Sequence, residues 1–328
     1  MSIGSRISKE DEEKLHESIK AQEKQSAAAK EKKKVKEKEL VFVPETPKYT
    51  LDDIIVPTYV KDKILDVANY AANSKTVFED WGLNKTHKYS KRMGINLYGP
   101  PGTGKTMAAH AVASYLKRQI LIVDYADIES KYVGETSKNI RKAFNAAKDS
   151  HSIIFFDEAD AILSRRVTDM SRATDVSVNQ TRSELLMILN DYQDFIIFAT
   201  NFIENFDPAF MRRIAMHIEM PLPDYECRRK LWQHYIPDEM PNDIDATELA
   251  GKYAGISGSD ISTAILNSAF KAARNHADMV SKEYVYEAIE GIIASKRANE
   301  KNQPQVTRRI VSEDYVKQQL GKDVKGVN

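Results

Sequence analysis

Gly99-Pro100-Pro101-Gly102-Thr103-Gly104-Lys105-Thr106 is the stretch from which the rest of this sequence can be read. It follows a short apolar strand candidate, Ile95-Asn96-Leu97-Tyr98, and runs through Met107 into an Ala/Val-rich segment suited to a helix. Strand, glycine-rich turn and helix in that order make a cradle for phosphate. Glycines let backbone N–H groups converge, and the helix N-terminus adds the positive end of its dipole. Lys105 is expected to reach the β- and γ-phosphate oxygens of a nucleotide, and Thr106 to offer its hydroxyl to Mg²⁺. Residues Gly99 to Met107 are therefore the candidate ATP-binding loop.

Downstream, Ile153-Ile154-Phe155-Phe156 ends directly in Asp157-Glu158-Ala159-Asp160. Four consecutive apolar residues read as a buried strand, and in an open parallel sheet ligands bind at the carboxyl ends of strands. Asp157 is placed to hold the Mg²⁺ shell, leaving Glu158 to take a proton from an attacking water. The run Phe195-Ile196-Ile197-Phe198-Ala199 ends in Thr200-Asn201, which sets a neutral amide between the other two strand ends. After it come Asp207-Pro208-Ala209-Phe210-Met211-Arg212-Arg213. Adjacent arginines suit a finger that stabilises charge on a transferring phosphoryl group, an effect of about 10³ to 10⁵ in rate where it is known. A solvated arginine pair at a helix end is the plainer alternative.

The expected fold is α/β: a parallel sheet with helices on both faces, followed by a small all-helical lid. Strands are expected at Ile95–Tyr98, Ile120–Asp124, Ile153–Phe156, Phe195–Ala199 and His217–Met220, all rich in β-branched or aromatic residues. Helices are expected after Lys105, from near Thr136, and through Gln180–Leu189. Beyond Pro221 and Pro223 the pattern is helical only, at Cys227–Tyr235, Ser259–Arg274 and Ser281–Ile292. Residues 1–47 form a charged arm, with Pro44 and Pro47 ending any helical continuity; 48–221 form the α/β domain and 222–328 the lid. The arm is either a solvated leader or a docking segment for a partner. A polar loop with mixed charge, including Arg165, Arg166, Arg172, Asp169 and Asp175, is expected over Ser164–Ser177.

Composition weighs against several classes of function. Lys plus Arg and Asp plus Glu both total 48, so no global basic charge exists to hold a nucleic-acid backbone. The single cysteine, Cys227, cannot form an intramolecular disulfide, and the charged N-terminus lacks an apolar leader, so a reducing cytoplasm is the expected setting. No stretch approaches the roughly 20 apolar residues of a membrane span. No His-Glu-x-x-His pair announces a zinc protease, and the terminus Lys325-Gly326-Val327-Asn328 lacks a hydrophobic-Tyr-x ending.

From about Thr50 to Leu320 the sequence resembles the AAA family of ring ATPases, particularly its katanin, spastin and Cdc-type protein-remodelling members. The resemblance implies Asp157 and Glu158 as metal and base residues, Asn201 as the sensor, and Arg212 and Arg213 as fingers offered to a neighbouring subunit. It therefore implies a homo-oligomeric ring, usually hexameric, working with ATP and Mg²⁺. Gly255-Ile256-Ser257-Gly258-Ser259-Asp260 resembles the lid motif that packs its backbone at Gly258 against nucleotide, and Asp53-Ile54-Ile55 sits where relatives grip adenine. Lys131-Tyr132-Val133-Gly134 resembles the pore loop of protein-threading members. Tyr132 would intercalate between side chains of an extended polypeptide, with Gly134 allowing the loop to turn. Three classes of function remain open on the sequence: a protein unfoldase or disassembly motor, a nucleic-acid loader, and a slow nucleotide-gated switch. Tyr132 and the arginine pair favour the first.

Overall fold

The computed structural model describes residues 40–87, 93–124, 128, 135–163, 173–192, 194–203 and 206–301. Two compact units divide the chain, and neither is continuous in sequence. The first comprises residues up to Thr50, Asp66–Leu97 and Ala109–His217; the second comprises Leu51–Leu65, Tyr98–Ala108 and Ile218 onward. Among the described residues helix α1 (Thr58–Ala72) comes first, its buried residues Val60, Ile64, Val67 and Ala68 recurring with helical period. It is followed by a π-helical turn at Thr76–Asp80 and by strand β1 (Met93–Tyr98).

Helix α2 (Lys105–Tyr115) leads to β2 (Ile120–Asp124), α3 (Glu135–Asp149), β3 (Ile153–Asp157) and the single turn α4 (Asp160–Leu163). Then come α5 (Ala173–Asp191), β4 (Phe195–Thr200), the short α6 (Pro208–Met211) and β5 (Met216–Glu219). The five strands form one sheet in the order β2-β3-β4-β1-β5. Strands β2 and β3 pair in parallel from Ile120 opposite Ile153 to Asp124 opposite Asp157, and Ile154, Phe155 and Phe156 of β3 pair with Ile196, Ile197 and Phe198 of β4. Residues 153–156 and 195–200 are buried on both faces, as parallel strands between helical layers must be. On one face Phe156 stacks on Phe198 at 5.4 Å between ring centres, while Phe144 from α3 covers Phe156 at 5.7 Å. At the opposite end of the strands from Asp157, Arg118 clasps Asp194 through two 2.7 Å hydrogen bonds and donates to the carbonyls of His151 and Ser152. One guanidinium thus ties together the segments that start β2, β3 and β4.

In the second unit, α7 (Tyr225–Tyr235), α8 (Ala246–Lys252), α9 (Gly258–Arg274) and α10 (Lys282–Lys301) enclose a core built on Trp232, Leu249, Ile261, Ile265, Val285 and Ile289. Ile55 packs against that core. Each of the first three helices is capped from its own sequence. Asp224 and Asp245 accept from the amides of Cys227 and Thr247, and Ser257 forms a reciprocal box with Asp260.

All five expected strands are present, Ile120–Asp124 with the expected bounds and the other four differing by one or two residues at their ends. The expected loop at Ser164–Ser177 needs correction: α5 begins at Ala173, so Asp175 lies within a helix, while Arg165, Arg166, Asp169 and Arg172 lie outside the described residues. Ala173-Thr174-Asp175 carries no apolar stripe, but extending a formed helix backward adds one hydrogen bond per residue, and Leu185, Leu186 and Leu189 anchor its other end in the core. For the same reason α10 runs to Lys301 rather than ending at Ile292.

Candidate nucleotide site

The glycine-rich loop belongs to the second unit. Gly99, Gly102 and Gly104 all have positive φ, at 143°, 76° and 91°. At Gly99 a Cβ would stand 2.3 Å from the Met220 carbonyl oxygen; at Gly102 it would stand 2.7 Å from Ser257 Oγ. Only glycine fits either place. The loop is thereby pressed against the lid motif: Ser259 N–H donates to Gly102 O at 3.3 Å, and a Cβ added at Gly258 would stand 3.6 Å from the same oxygen. Thr103 donates its hydroxyl to Pro100 O at 2.9 Å. Lys105 is nearly buried and donates through Nζ to the carbonyls of Gly99 and Pro100 at 2.8 and 3.0 Å. Its ammonium is therefore folded over the loop itself. Pro100, Pro101 and Gly102 are exposed, whereas Thr106 and Met107 are half-buried in the first turn of α2. Asp53 is exposed and Ile54 is buried.

Asp260 sets the shape of the lid motif from beneath. Its carboxylate accepts from the Ser257 amide at 2.7 Å and hydroxyl at 2.8 Å and is paired with Lys296. Burial pushes its pKa up, but the Lys296 ammonium and the Ser257 donors outweigh burial and hold the carboxyl below its ordinary value. An ionised Asp260 keeps Ser257, and with it the contact to Gly102, in one position.

Asp157, Glu158 and Asp160 belong to the first unit. Asp157 closes β3, half-buried, and accepts from the backbone N–H of Glu158 at 2.9 Å. Glu158 is exposed and adopts φ 47°, the left-handed region that costs a non-glycine residue about 1–2 kcal/mol. Ala159 N–H then donates to Ala199 O at 2.9 Å, binding the turn to the neighbouring strand. Asp160 accepts from the Thr200 hydroxyl, from Asn201 N–H at 3.1 Å and from Phe202 N–H at 3.3 Å. The sequence alone does not single out this residue. Its signal exists only once β4 is known to lie beside β3, with β1 on the other side. Asp160 fixes the backbone of Asn201, which is half-buried at the end of the central strand.

The two arginines differ. Asp207 caps α6 by accepting from Ala209 N–H at 2.7 Å, with Pro208 in the first helical position. Arg213 is half-buried and donates to Asn190 Oδ1 at 2.9 Å and Ala209 O at 2.8 Å. Arg212 is exposed, with Nε 3.3 Å from Pro208 O. Asn190, in the last turn of α5, is thus a second positioning residue unseen in the sequence. Lys131, Tyr132, Val133 and Gly134 lie outside the described residues.

The donors of each unit are of the kinds that ATP and Mg²⁺ take. In the second unit, glycines in left-handed backbone leave room for phosphate oxygens against the loop amides, Lys105 offers a cation and Thr106 a hydroxyl; in the first, Asp157 offers a hard carboxylate oxygen. Among the described residues no helix is long and apolar enough to cross a membrane.

Residues 95–222 match the model of the ATPase family associated with various cellular activities (AAA). The chain is 31% identical to a proteasome-activating nucleotidase of Methanopyrus kandleri over 262 residues, 77% of this chain and 58% of that protein. It is 36% identical to the proteasome-activating nucleotidase of Saccharolobus solfataricus over 207 residues, 61% of this chain and 52% of the relative. It is also 28% identical to the ATP-dependent zinc metalloprotease FtsH 2 of Sphaerobacter thermophilus over 271 residues, 80% and 40% of the two chains. The chain spans about half the length of the curated relatives it matches. The glycine-rich loop and the Asp157-Glu158 turn both fall within the matched residues, and residues 95–222 of this chain are a domain of the AAA ATPase family.

Proposed function

We propose that this chain hydrolyses ATP in a homo-oligomeric, hexameric ring and uses the turnover to unfold or disassemble protein substrates drawn along an axial pore. The observation that carries the reading is the strained Asp157-Glu158 turn, tied through Ala159 and Asp160 to the strand that ends in Asn201. Such a turn is costly unless two carboxylates and an amide must be held together.

In this reading the loop amides of Gly99–Gly104 and the dipole of α2 hold the β- and γ-phosphates, while Asp53-Ile54 and Gly258 line the base and sugar. Lys105 leaves its carbonyl partners for phosphate oxygens. Thr106 and Asp157 hold the metal, which when bound neutralises charge building on the phosphates. Glu158 accepts the proton of the attacking water, and Asn201 orients that water without adding charge. Arg212 and Arg213 reach a neighbour's γ-phosphate, and Asn190 sets the angle of Arg213. Residues 48–221 are the motor and 222–328 the lid; the arm, 1–47, precedes them. Tyr132 and Val133, flanked by Lys131 and Gly134, grip the polypeptide. The names of the relatives, proteasome-activating nucleotidase and FtsH, support a protein substrate, and the balanced charge argues against nucleic acid. A cytoplasmic setting belongs to the same proposal.

The test uses a Glu158→Gln chain loaded with ATP and offered a cell lysate. Polypeptide retained by Glu158→Gln and released when Tyr132→Ala is added supports threading. Retention insensitive to Tyr132→Ala sinks it, and retention lost on nuclease treatment makes the chain a nucleic-acid motor.

A further inference from the structure

Residues 42–49 contain neither helix nor strand of their own, yet they are fastened at four points. Phe42 packs against the apolar core of the first unit. Glu45 exchanges two backbone hydrogen bonds with Ile120, at 2.8 and 2.9 Å, on β2, the strand at the sheet's edge. The backbone N–H of Lys48 donates to Nδ1 of His110 at 3.3 Å. The ring of Tyr49 meets the His110 imidazole edge-on, 5.8 Å between centres.

His110 is 2% exposed and lies in α2, one helical turn beyond Thr106. Its neighbours Ala108, Ala109, Ala111, Val112 and Ala113 are buried and apolar. Burying an imidazole costs more than burying an aliphatic side chain, so packing alone does not explain it. Because Nδ1 accepts the Lys48 amide proton, the neutral ring carries its own proton on Nε2, which stands 3.7 Å from Glu45 Oε1. Burial, the largest influence, holds the ring's pKa below the ordinary histidine value; Glu45 and Asp157 oppose it and Lys48 reinforces it. The neutral form, able to accept, is the one present. Just beyond Tyr49 the chain reaches Asp53-Ile54-Ile55, the segment assigned to the adenine edge.

We propose that His110 is a positioning residue for nucleotide binding: it fastens the segment that leads into the adenine edge to the helix whose first turn carries Lys105 and Thr106. A displacement of the chain upstream of Glu45 is thereby felt by the phosphate loop. The inference rests on the nucleotide reading of Gly99–Thr106 and Asp53-Ile54.

The test uses the full chain with His110→Phe, which fills the space without an acceptor, His110→Asn, which restores one near the Nδ1 position, and Lys48→Pro, which removes the donor. Hydrogen exchange of the nucleotide-free protein should show faster exchange across 45–50 for His110→Phe and protection regained for His110→Asn. A fluorescent ATP analogue should bind about fivefold more weakly to His110→Phe and to Lys48→Pro, near normally to His110→Asn, and no more weakly to the Phe/Pro double variant than to either single one. Unchanged exchange across 45–50 in His110→Phe, additive losses in the double variant, or no rescue by asparagine at an unchanged melting temperature would each overturn the proposal. If the unsubstituted chain fails to bind the analogue, the nucleotide reading is what falls, and the exchange comparison still decides whether His110 fastens the segment.

Discussion

Asp160→Ala removes a carboxylate that no phosphate or metal is asked to touch, so its effect reports on positioning. Three donors lose their acceptor: the Thr200 hydroxyl, Asn201 N–H and Phe202 N–H. Phe202 N–H retains Thr200 Oγ1 at 3.2 Å, which leaves two real losses. Thr200 is 1% exposed, so water cannot take over its hydroxyl. Hydrogen bonds to a charged acceptor contribute about 1.5–3 kcal/mol each. Asp160 and Asn201 are only half-buried, which selects the lower end and gives about 3 kcal/mol for the pair. At about 2–4 °C per kcal/mol, the melting temperature should fall by roughly 6–12 °C. Release of the Asn201 backbone should also slow steady-state ATP turnover by about tenfold or more, since ångström-scale misplacement of a catalytic group costs on the order of 10²-fold. Asp160→Asn keeps one acceptor and should fall midway on both readouts. Thermal melts and a coupled ATPase assay at matched temperature decide the matter. A melting temperature within about 2 °C of the parent, together with unchanged turnover, would refute the role given to Asp160.

Glu158→Gln should retain ATP binding while turnover falls by about 10²- to 10⁴-fold, the range for a lost general base, measured by phosphate release against equilibrium binding. Subunits carrying Arg212→Ala and Arg213→Ala, inactive alone, should regain part of their turnover when mixed with equally inactive Lys105→Ala subunits; no recovery over a range of ratios would mean the arginines do not act across a subunit boundary. Tyr132→Ala should spare basal ATPase and abolish processing of a trapped substrate, read by gel-based client release. Cys227 is buried, and burial foremost, with Asp224 adding to it, pushes its thiol up to about 12. The folded chain should resist thiol reagents near neutral pH and react after denaturation. The unfolded thiol ionises near 9.0, so the stability this burial confers should be complete below that pH and decline between 9 and 12, visible as a falling denaturation midpoint.

The loop, the Asp157-Glu158 pair and the strand ending in Asn201 were legible because each is local: a few consecutive residues declare a strand and the turn at its carboxyl end. Asp160, Asn190 and His110 were not legible, since each matters through a partner distant in sequence. Asp160 acquires its role only because the sheet sets β3 against β4, Asn190 because α5 ends beside Arg213, and His110 because residues 45–49 pass over α2. Helices α1 and α8 were also unread. The first comes after Val56-Pro57, a poor helix signal until Pro57 accepts from Val60 N–H and Lys61 N–H, and the second is barely two turns long. In the lid, Asp224 and Ser257 announce their helices by capping, which is why α7 and α9 were read to within two residues.

The strand order also has a consequence for how the chain is made. β1, which delivers the glycine-rich loop, is seated between β4 and β5, both synthesised long after it. A nascent chain on the ribosome therefore carries its phosphate loop on a strand with no neighbour until Phe195–Thr200 has emerged and with only one until Met216–Glu219 follows, while β2 and β3 can already pair. Loop closure of that length is slow, and the waiting strand edges invite pairing with other chains. Translation pauses or truncations before Glu219 should thus yield aggregated rather than partly active protein.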